Sequence, residues 1–215
     1  MCAESDITDI NGYDCYHRKR IGGQRAAGGV ITAVRIGTDI EELIIDTELE
    51  ALAVKLGPPL NVTVLNMYIP PNKTITTMDI TRLVSQLPKP LIFVGDLNAH
   101  HPLWGSNNIS VRGRTLEAAF DDCELVVLNS GDFTYINHAS GKGSCIDVAC
   151  CTPELAGLLE FSVLDDTHGS DHLPISISFP GSPRIYHPGK LKKLTGKSTK
   201  ILLNFTIRNL PRSKL

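Results

Sequence analysis

Residues 91–105 read LIFVGDLNAHHPLWG. Four apolar residues, Leu91 to Val94, run straight into Gly95-Asp96-Leu97-Asn98. A short unbroken apolar run bounded by turn residues predicts a strand buried on both faces, as in a sheet covered by further layers. Alternate residues of a strand share a face, so Asp96 and Asn98 are expected to project together from its C-terminal end, where open α/β sheets bind ligands. A carboxylate with a carboxamide two residues on offers hard oxygen donors for Mg²⁺, or holds a water and a phosphate oxygen. The competing reading is an ordinary turn, since Gly, Asp and Asn all favour turns.

Working outward, GVITAVRI at Gly29 to Ile36, Leu49 to Leu56 and Asn61 to Ile69 read as three strands, the second ended by Pro58-Pro59. Their short connections predict an antiparallel meander. Thr76 to Leu87 places Met78, Leu83, Val84 and Leu87 at near-helical spacing after Thr-rich capping residues, and PKP then breaks the helix before the strand at Leu91. Arg112 to Cys123 repeats the pattern with Leu116, Ala119 and Phe120 on one side, leading to the apolar run Leu125 to Leu128. Further strands are expected at Ser144 to Cys151, Phe161 to Asp165 and Leu173 to Phe179. Interleaved strands and helices, with strands in the majority, predict α/β layers around a mixed sheet or sheets. Residues 1–28, polar and rich in glycine around RKRIGGQRAAGG, read as a lead-in to a domain at 29–179, and 180–215 as a basic linker or tail.

The chain has 215 residues, of which 42% are apolar and 20% charged, which excludes disorder as the dominant state and fits one globular domain. It lacks the run of about 18 to 20 apolar residues that a membrane span needs, and its start, MCAESD, is acidic where a signal peptide is basic. An intracellular protein, nuclear or cytoplasmic and without a membrane partner, is expected. Six cysteines with no CxxC pair then read as reduced thiols filling the core; Cys150 and Cys151 are adjacent on a strand and point to opposite faces, which disfavours a shared metal. Residues 180–215 carry nine Lys or Arg and no acid, whereas the remainder has 12 basic against 23 acidic residues. So acidic a body attracts a polyanion only through local basic patches, the tail or bound divalent cations.

Two more segments carry chemistry. Gly169-Ser170-Asp171-His172 sits just before the strand LPISISF, and a His able to move a proton near neutral pH beside an Asp able to hold a cation is either a solvated loop or a working pair. In SCIDVACC, Asp147 enters an apolar strand; a buried carboxylate costs several kcal/mol unless paired, so Asp147 either makes a structural hydrogen bond or orients a His. Trp104 reads as loop packing rather than substrate stacking. The neighbours His100 and His101 diverge and read as structural, and Arg112 and Arg114 read as helix-surface residues.

Together GDLNAHHPLWGS, SCIDVACC and GSDHLPI, preceded by NMYIPPN, resemble the endonuclease/exonuclease/phosphatase superfamily. DLNAHHPLWGS in particular resembles the apurinic-type endonuclease domain of jockey-like non-LTR retrotransposons. The resemblance covers roughly Gly12 to Phe179, with the four motifs in the family's order. It implies a four-layer αββα sandwich of two mixed, mainly antiparallel sheets flanked by helices. It also implies a phosphodiesterase dependent on Mg²⁺ or Mn²⁺ that nicks DNA to leave a 3′ hydroxyl, with no organic cofactor. Phosphoinositide or sphingomyelin head groups are the substrates of the same chemistry elsewhere in the superfamily. By resemblance Asp96 activates or positions the attacking water, Asn98 holds a phosphate oxygen, His172 faces the scissile phosphate with its tautomer fixed by Asp147, and Tyr68 contacts the phosphate. Asp171 would be a metal ligand. Thr134 and Asn137 resemble a family loop that approaches DNA, and Lys142 would meet a phosphate. The family's first strand bears an Asn and its second ends in a metal-binding Glu; here Glu4 is the stand-in for the Glu and the Asn has no counterpart. The expectation is a domain short of its leading strands, with an inactive remnant that at most binds as the alternative. The pattern is silent on oligomeric state.

Overall fold

The computed structural model describes residues 10–19, 29–167, 169–179 and 199–203. In chain order the strands are β1 Tyr13–Lys19, β2 Gly29–Arg35, β3 Ile40–Leu43, β4 Glu50–Leu56, β5 Val62–Tyr68, β6 Leu91–Asp96, β7 Val126–Val127, β8 Tyr135–Ile136, β9 Gly143–Ser144, β10 Asp147–Cys151, β11 Glu160–Val163, β12 Ile175–Ser178 and β13 Thr199–Leu203. The helices are α1 Thr77–Val84, α2 Val111–Asp122 and the single turn α3 Pro153–Ala156, with a 3₁₀ turn at Pro102–Trp104.

A six-stranded sheet, in the order β3-β4-β5-β6-β10-β7, forms the centre. It is antiparallel except where β5 and β6 run parallel, the two being joined through α1. A parallel neighbour requires such a crossover, because a tight turn can only reverse the chain. The expected meander exists, but it is β3-β4-β5. The strand expected first, β2, belongs to a second sheet, β1-β2-β13, for which residues read as a lead-in and a tail supply the flanking strands. β3 and the short pair β8-β9 were not legible as strands.

The central sheet buries both faces. Toward the helices, Leu65, Met67, Leu91 and Phe93 pack with Ile80, Leu83, Leu116, Ala119 and Phe120. Toward the second sheet, Val54, Leu56, Val62, Val64, Ile92 and Val94 pack with Val30 and Val34, and Phe161, Ile175 and Ile177 of the β11-β12 pair close the same cluster. The described layers are thus helices, central sheet and second sheet; among the described residues no long helix covers the far side of the second sheet. Cys150 joins the helix-side cluster and Cys151 the other, as alternation requires. Burial pushes the Cys145 and Cys151 thiols up to about 11.

The two longer helices start on side-chain caps. In α1, Thr76 and Asp79 form a reciprocal capping box, and Ile80, Leu83 and Val84 face the core while Met78, expected on that face, is exposed. In α2, the Ser110 hydroxyl accepts the Gly113 N–H. Trp104 is fully buried, donates to the Ala99 carbonyl and packs against Phe120, so it holds the loop after β6. Among the described residues, no helix is long and apolar enough to cross a membrane.

Candidate active site

Strand register builds the site. Glu50 pairs with Tyr68, Tyr68 with Asp96, and Asp96 with Asp147, so one row crosses β4, β5, β6 and β10. Paired residues share a face, here the face of Leu52, Val64, Ile92 and Ala149, which looks toward the second sheet. Apolar residues fill that face until the strand ends, where it becomes polar.

Asp96 and Asp147 are directly opposite on antiparallel strands, an arrangement that destabilises a sheet when both residues carry the same charge. His172 answers it. Its Nδ1 lies 2.9 Å and 3.2 Å from the two Asp147 oxygens, and its Nε2 lies 4.0 Å from Asp96 Oδ2. The side chains are 9% exposed at Asp96, 13% at Asp147 and 32% at His172, so the cluster is sheltered but open on the His172 side. Burial pushes the His172 ring down, but the Asp147 hydrogen bond and charge, with Asp96 and Asp171, outweigh it and bring the pKa to about 9. Burial and the Asp147 charge raise Asp96 to about 7.

Asn98 reaches Asp96 by a different route from the one expected. It is past the strand in a left-handed conformation, φ 46°, and its backbone N–H and side-chain Nδ2 both donate to Asp96 Oδ1, at 3.1 Å and 2.8 Å. Nδ2 also donates to the Ile69 carbonyl at 3.1 Å. An Asx-type turn, not strand alternation, therefore joins the two residues and leaves Asp96 Oδ2 turned toward His172.

The other expected residues are distributed unequally. Tyr68, at the tip of β5 beside Asp96, is 9% exposed. Asp171 is exposed and lies outside the set of Asp96, Asp147 and His172 atoms that fall within 4.8 Å of one another. Asn137 and Lys142 are exposed on the turn between β8 and β9, where Asn137 Oδ1 accepts from the Ala139 and Ser140 N–H groups. Thr134, expected near DNA, is fully buried instead: its hydroxyl accepts the Ile146 and Asp147 N–H groups and fixes the start of β10. Glu4 lies outside the described residues. His101 caps the 3₁₀ turn through Nδ1 and pairs with Glu117 at 3.3 Å, and His100 faces Ser106, which are structural roles.

Sequence reading missed three supports. Asn129 extends the pairing beyond β7, donating to the Asp147 carbonyl and accepting the Ala149 N–H. Tyr135 packs edge-on against the His172 ring at 5.1 Å. Arg112 turns inward to backbone carbonyls rather than lying on the helix surface. A lone Asn, Tyr or Arg carries no signal of such roles in one sequence.

The donor set suits a hard divalent cation. Two carboxylates supply its oxygen donors, the one imidazole is engaged by Asp147, and Cys145, Cys150 and Cys151 lie in the apolar clusters.

A family model described as endonuclease-reverse transcriptase matches residues 62–176, more than half of the chain. This chain belongs to the endonuclease-reverse transcriptase family. The match takes in Tyr68, Asp96, Asn98, Asp147, Asp171 and His172. Among Drosophila melanogaster relatives of this family member, the probable RNA-directed DNA polymerase from transposon BS is 29% identical over 205 residues, covering 92% of this chain and 22% of the relative. The RNA-directed DNA polymerase from mobile element jockey is 27% identical over 177 residues, covering 81% and 19%. The chain thus spans about a fifth of these relatives' length. The endonuclease domain of TRAS1, a telomere-specific non-LTR retrotransposon, superposes with a TM-score of 0.65 at 23% identity, covering 80% of this chain and 81% of that one. The AP endonuclease LMAP from Leishmania major gives 0.58 at 12% identity, covering 79% and 71%. At such identities the likeness is one of fold, and the fold is that of the endonuclease/exonuclease/phosphatase superfamily.

Proposed function

We propose that this chain is a metal-dependent DNA endonuclease domain that nicks one strand to leave a 3′ hydroxyl. The observation that carries the reading is the Asp147–His172–Asp96 arrangement, in which a carboxylate-held imidazole and a second carboxylate converge 4.0 Å apart at the tips of β6 and β10. That separation leaves both groups able to reach one water or one phosphate oxygen.

Asp147 holds Nδ1 protonated and turns Nε2 toward the substrate side, so His172 acts as an imidazolium facing a non-bridging phosphate oxygen, where charge builds up in the transition state. Asp96, with a pKa near neutrality and Oδ2 free of the Asn98 turn, takes the proton of the attacking water. Water oxygen bonds to phosphorus and the bond to the 3′ oxygen breaks, and the departing 3′ oxygen takes a proton from solvent, giving a 3′ hydroxyl and a 5′ phosphate. Asn98 and Tyr68 border the phosphate, and Asn137 and Lys142, exposed on the β8-β9 turn, meet the DNA backbone. Mg²⁺ or Mn²⁺ would be held by Asp171, with Glu4 as the further ligand that the resemblance implies, and would supply charge stabilisation to the phosphoryl transfer. DNA rather than a lipid head group is supported by the family to which the chain belongs and by a fold shared with nucleases.

The test is nicking of supercoiled plasmid by the folded chain with Mg²⁺ or with EDTA, alongside His172→Ala. Metal-dependent nicking that drops by about two orders of magnitude or more in the variant is expected. A folded chain with no metal-dependent nicking overturns the reading in favour of a remnant that only binds.

A further inference from the structure

Arg112, the second residue of α2, points its guanidinium away from solvent into a nest of carbonyls. Nη1 donates to Leu97 O at 3.1 Å and Asn98 O at 2.8 Å. Nη2 donates to Pro70 O at 2.9 Å, Pro71 O at 2.9 Å and Lys73 O at 2.7 Å. One side chain thus spans two loops that leave neighbouring strands, the Pro70–Lys73 loop after Tyr68 and the Leu97–Asn98 turn after Asp96. The same two loops meet at Ile69 N–H to Asp96 O, 2.9 Å, and Asn98 Nδ2 to Ile69 O, 3.1 Å.

The chemistry of those loops makes the clamp necessary. Pro70 and Pro71 have no N–H to donate, and Asn98 sits at φ 46°, a left-handed conformation uncommon outside glycine although Asn adopts it more readily than most residues. Ser110 already caps α2 through Gly113, so helix initiation does not depend on Arg112. Burial lowers the Arg112 pKa, and its proximity to Asp96 and Tyr68 opposes that shift, while its bonds to the Leu97 and Asn98 carbonyls set it behind the row of site residues.

We propose that Arg112 is a positioning residue for phosphodiester cleavage, holding the Asp96–Asn98 turn and the Tyr68 strand tip in one fixed geometry from behind. The inference rests on the nuclease reading. It assigns Arg112 no contact with substrate. A lysine preserves the charge but presents a single tetrahedral ammonium that cannot span five carbonyls.

The test compares the unmodified 215-residue chain with Arg112→Lys, Arg112→Ala and, as control, Arg114→Ala, whose side chain is exposed on the same helix. Nicking rates at varied plasmid concentration separate kcat from KM, and the Asn98 backbone and side-chain amide resonances in the metal-free protein report the turn. The expected result is a folded Arg112→Lys variant with kcat lower by roughly ten- to a hundredfold, KM nearly unchanged and shifted Asn98 resonances, with Arg112→Ala regaining rate when guanidinium ion is added. Arg114→Ala should match wild type. Wild-type kcat in Arg112→Lys overturns the inference, and so do unmoved Asn98 resonances. A variant that unfolds also counts against it, because Arg112 would then serve the fold at large. If the wild type itself does not nick, the nuclease reading fails and the Asn98 resonances alone decide whether Arg112 sets the turn.

Discussion

His172 shows what three residues do to one proton. Asp147 at 2.9 Å outweighs the cost of burying the imidazolium, and the ring titrates at about 9 in place of 6.5. A pKa raised on folding means the pair contributes its full stability below about 6.5 and loses it as pH rises through about 9. Nuclear magnetic resonance titration of the metal-free protein should show this value, and Asp147→Asn should bring it back toward 6.5; a His172 that titrates normally in the unmodified protein contradicts the geometry. Asp96 works in the same direction by a different cause. Its folded pKa of about 7 lies above the ordinary 3.8, so holding it ionised beside Asp147 costs stability increasingly as pH climbs from about 4 to 7. Asp96→Asn keeps an oxygen for the Asn98 donors and removes that charge. It should raise the melting temperature of the metal-free protein at pH 8 by about 2–4 °C, as a gain of about 1 kcal/mol would, while reducing nicking by about two orders of magnitude or more. A variant equally active, or less stable at that pH, contradicts the role.

At the scale of elements, the most legible strand was also the one that carries the site. LIFVG has no charge to place on either face, which is why β6 reads as buried on both sides, and the Thr76 cap of α1 stands where the Thr-rich stretch places it. β1 could not be read because YDCYHRK mixes polar residues on both faces, which an edge strand tolerates and a propensity argument rejects. Asn98 was placed beside Asp96 by the wrong rule, since alternation says nothing about where a strand stops and a turn begins. Thr134 was misplaced because a hydroxyl that caps buried N–H groups looks, in sequence, like one that meets solvent. Gly95 separates these effects experimentally. A Cβ there would lie 1.8 Å from the Met67 carbonyl, on the neighbouring strand. No rotamer relieves a clash with backbone, so β5 and β6 must part just before Asp96. Gly95→Ala should cost about 3 kcal/mol in denaturant unfolding, whereas the same change at exposed Gly157, which has nothing near its Cβ position, should cost little.

For the whole molecule, the distribution of charge decides how a DNA substrate, as proposed, would be approached. Within residues 1–179 acids outnumber bases 23 to 12, and the site itself is a row of carboxylates, so the surface around it repels a polyanion. The nine basic residues of 180–215, unmixed with acids, would supply the opposing attraction on the nuclease reading, and β13, Thr199–Leu203, pairs with β2 in the second sheet. On the proposed nuclease reading, binding energy and cleavage chemistry would then come from different parts of the chain. Each phosphate neutralised by a Lys or Arg releases counterion and adds a slope of about −0.9 to the logarithm of affinity against the logarithm of salt. Replacing Lys190, Lys192 and Lys193 by Gln should flatten that slope by about two to three units and weaken binding to all sequences alike. It should leave the cleavage rate at saturating DNA unchanged, since the residues proposed for the chemistry, Tyr68 to His172, all precede residue 180 in the chain. Fluorescence anisotropy with a duplex probe across a salt series measures the slope, and single-turnover nicking measures the rate. An unchanged slope would move the electrostatic attraction off the tail and onto the cations bound at the site, and in that case affinity should collapse when EDTA is added.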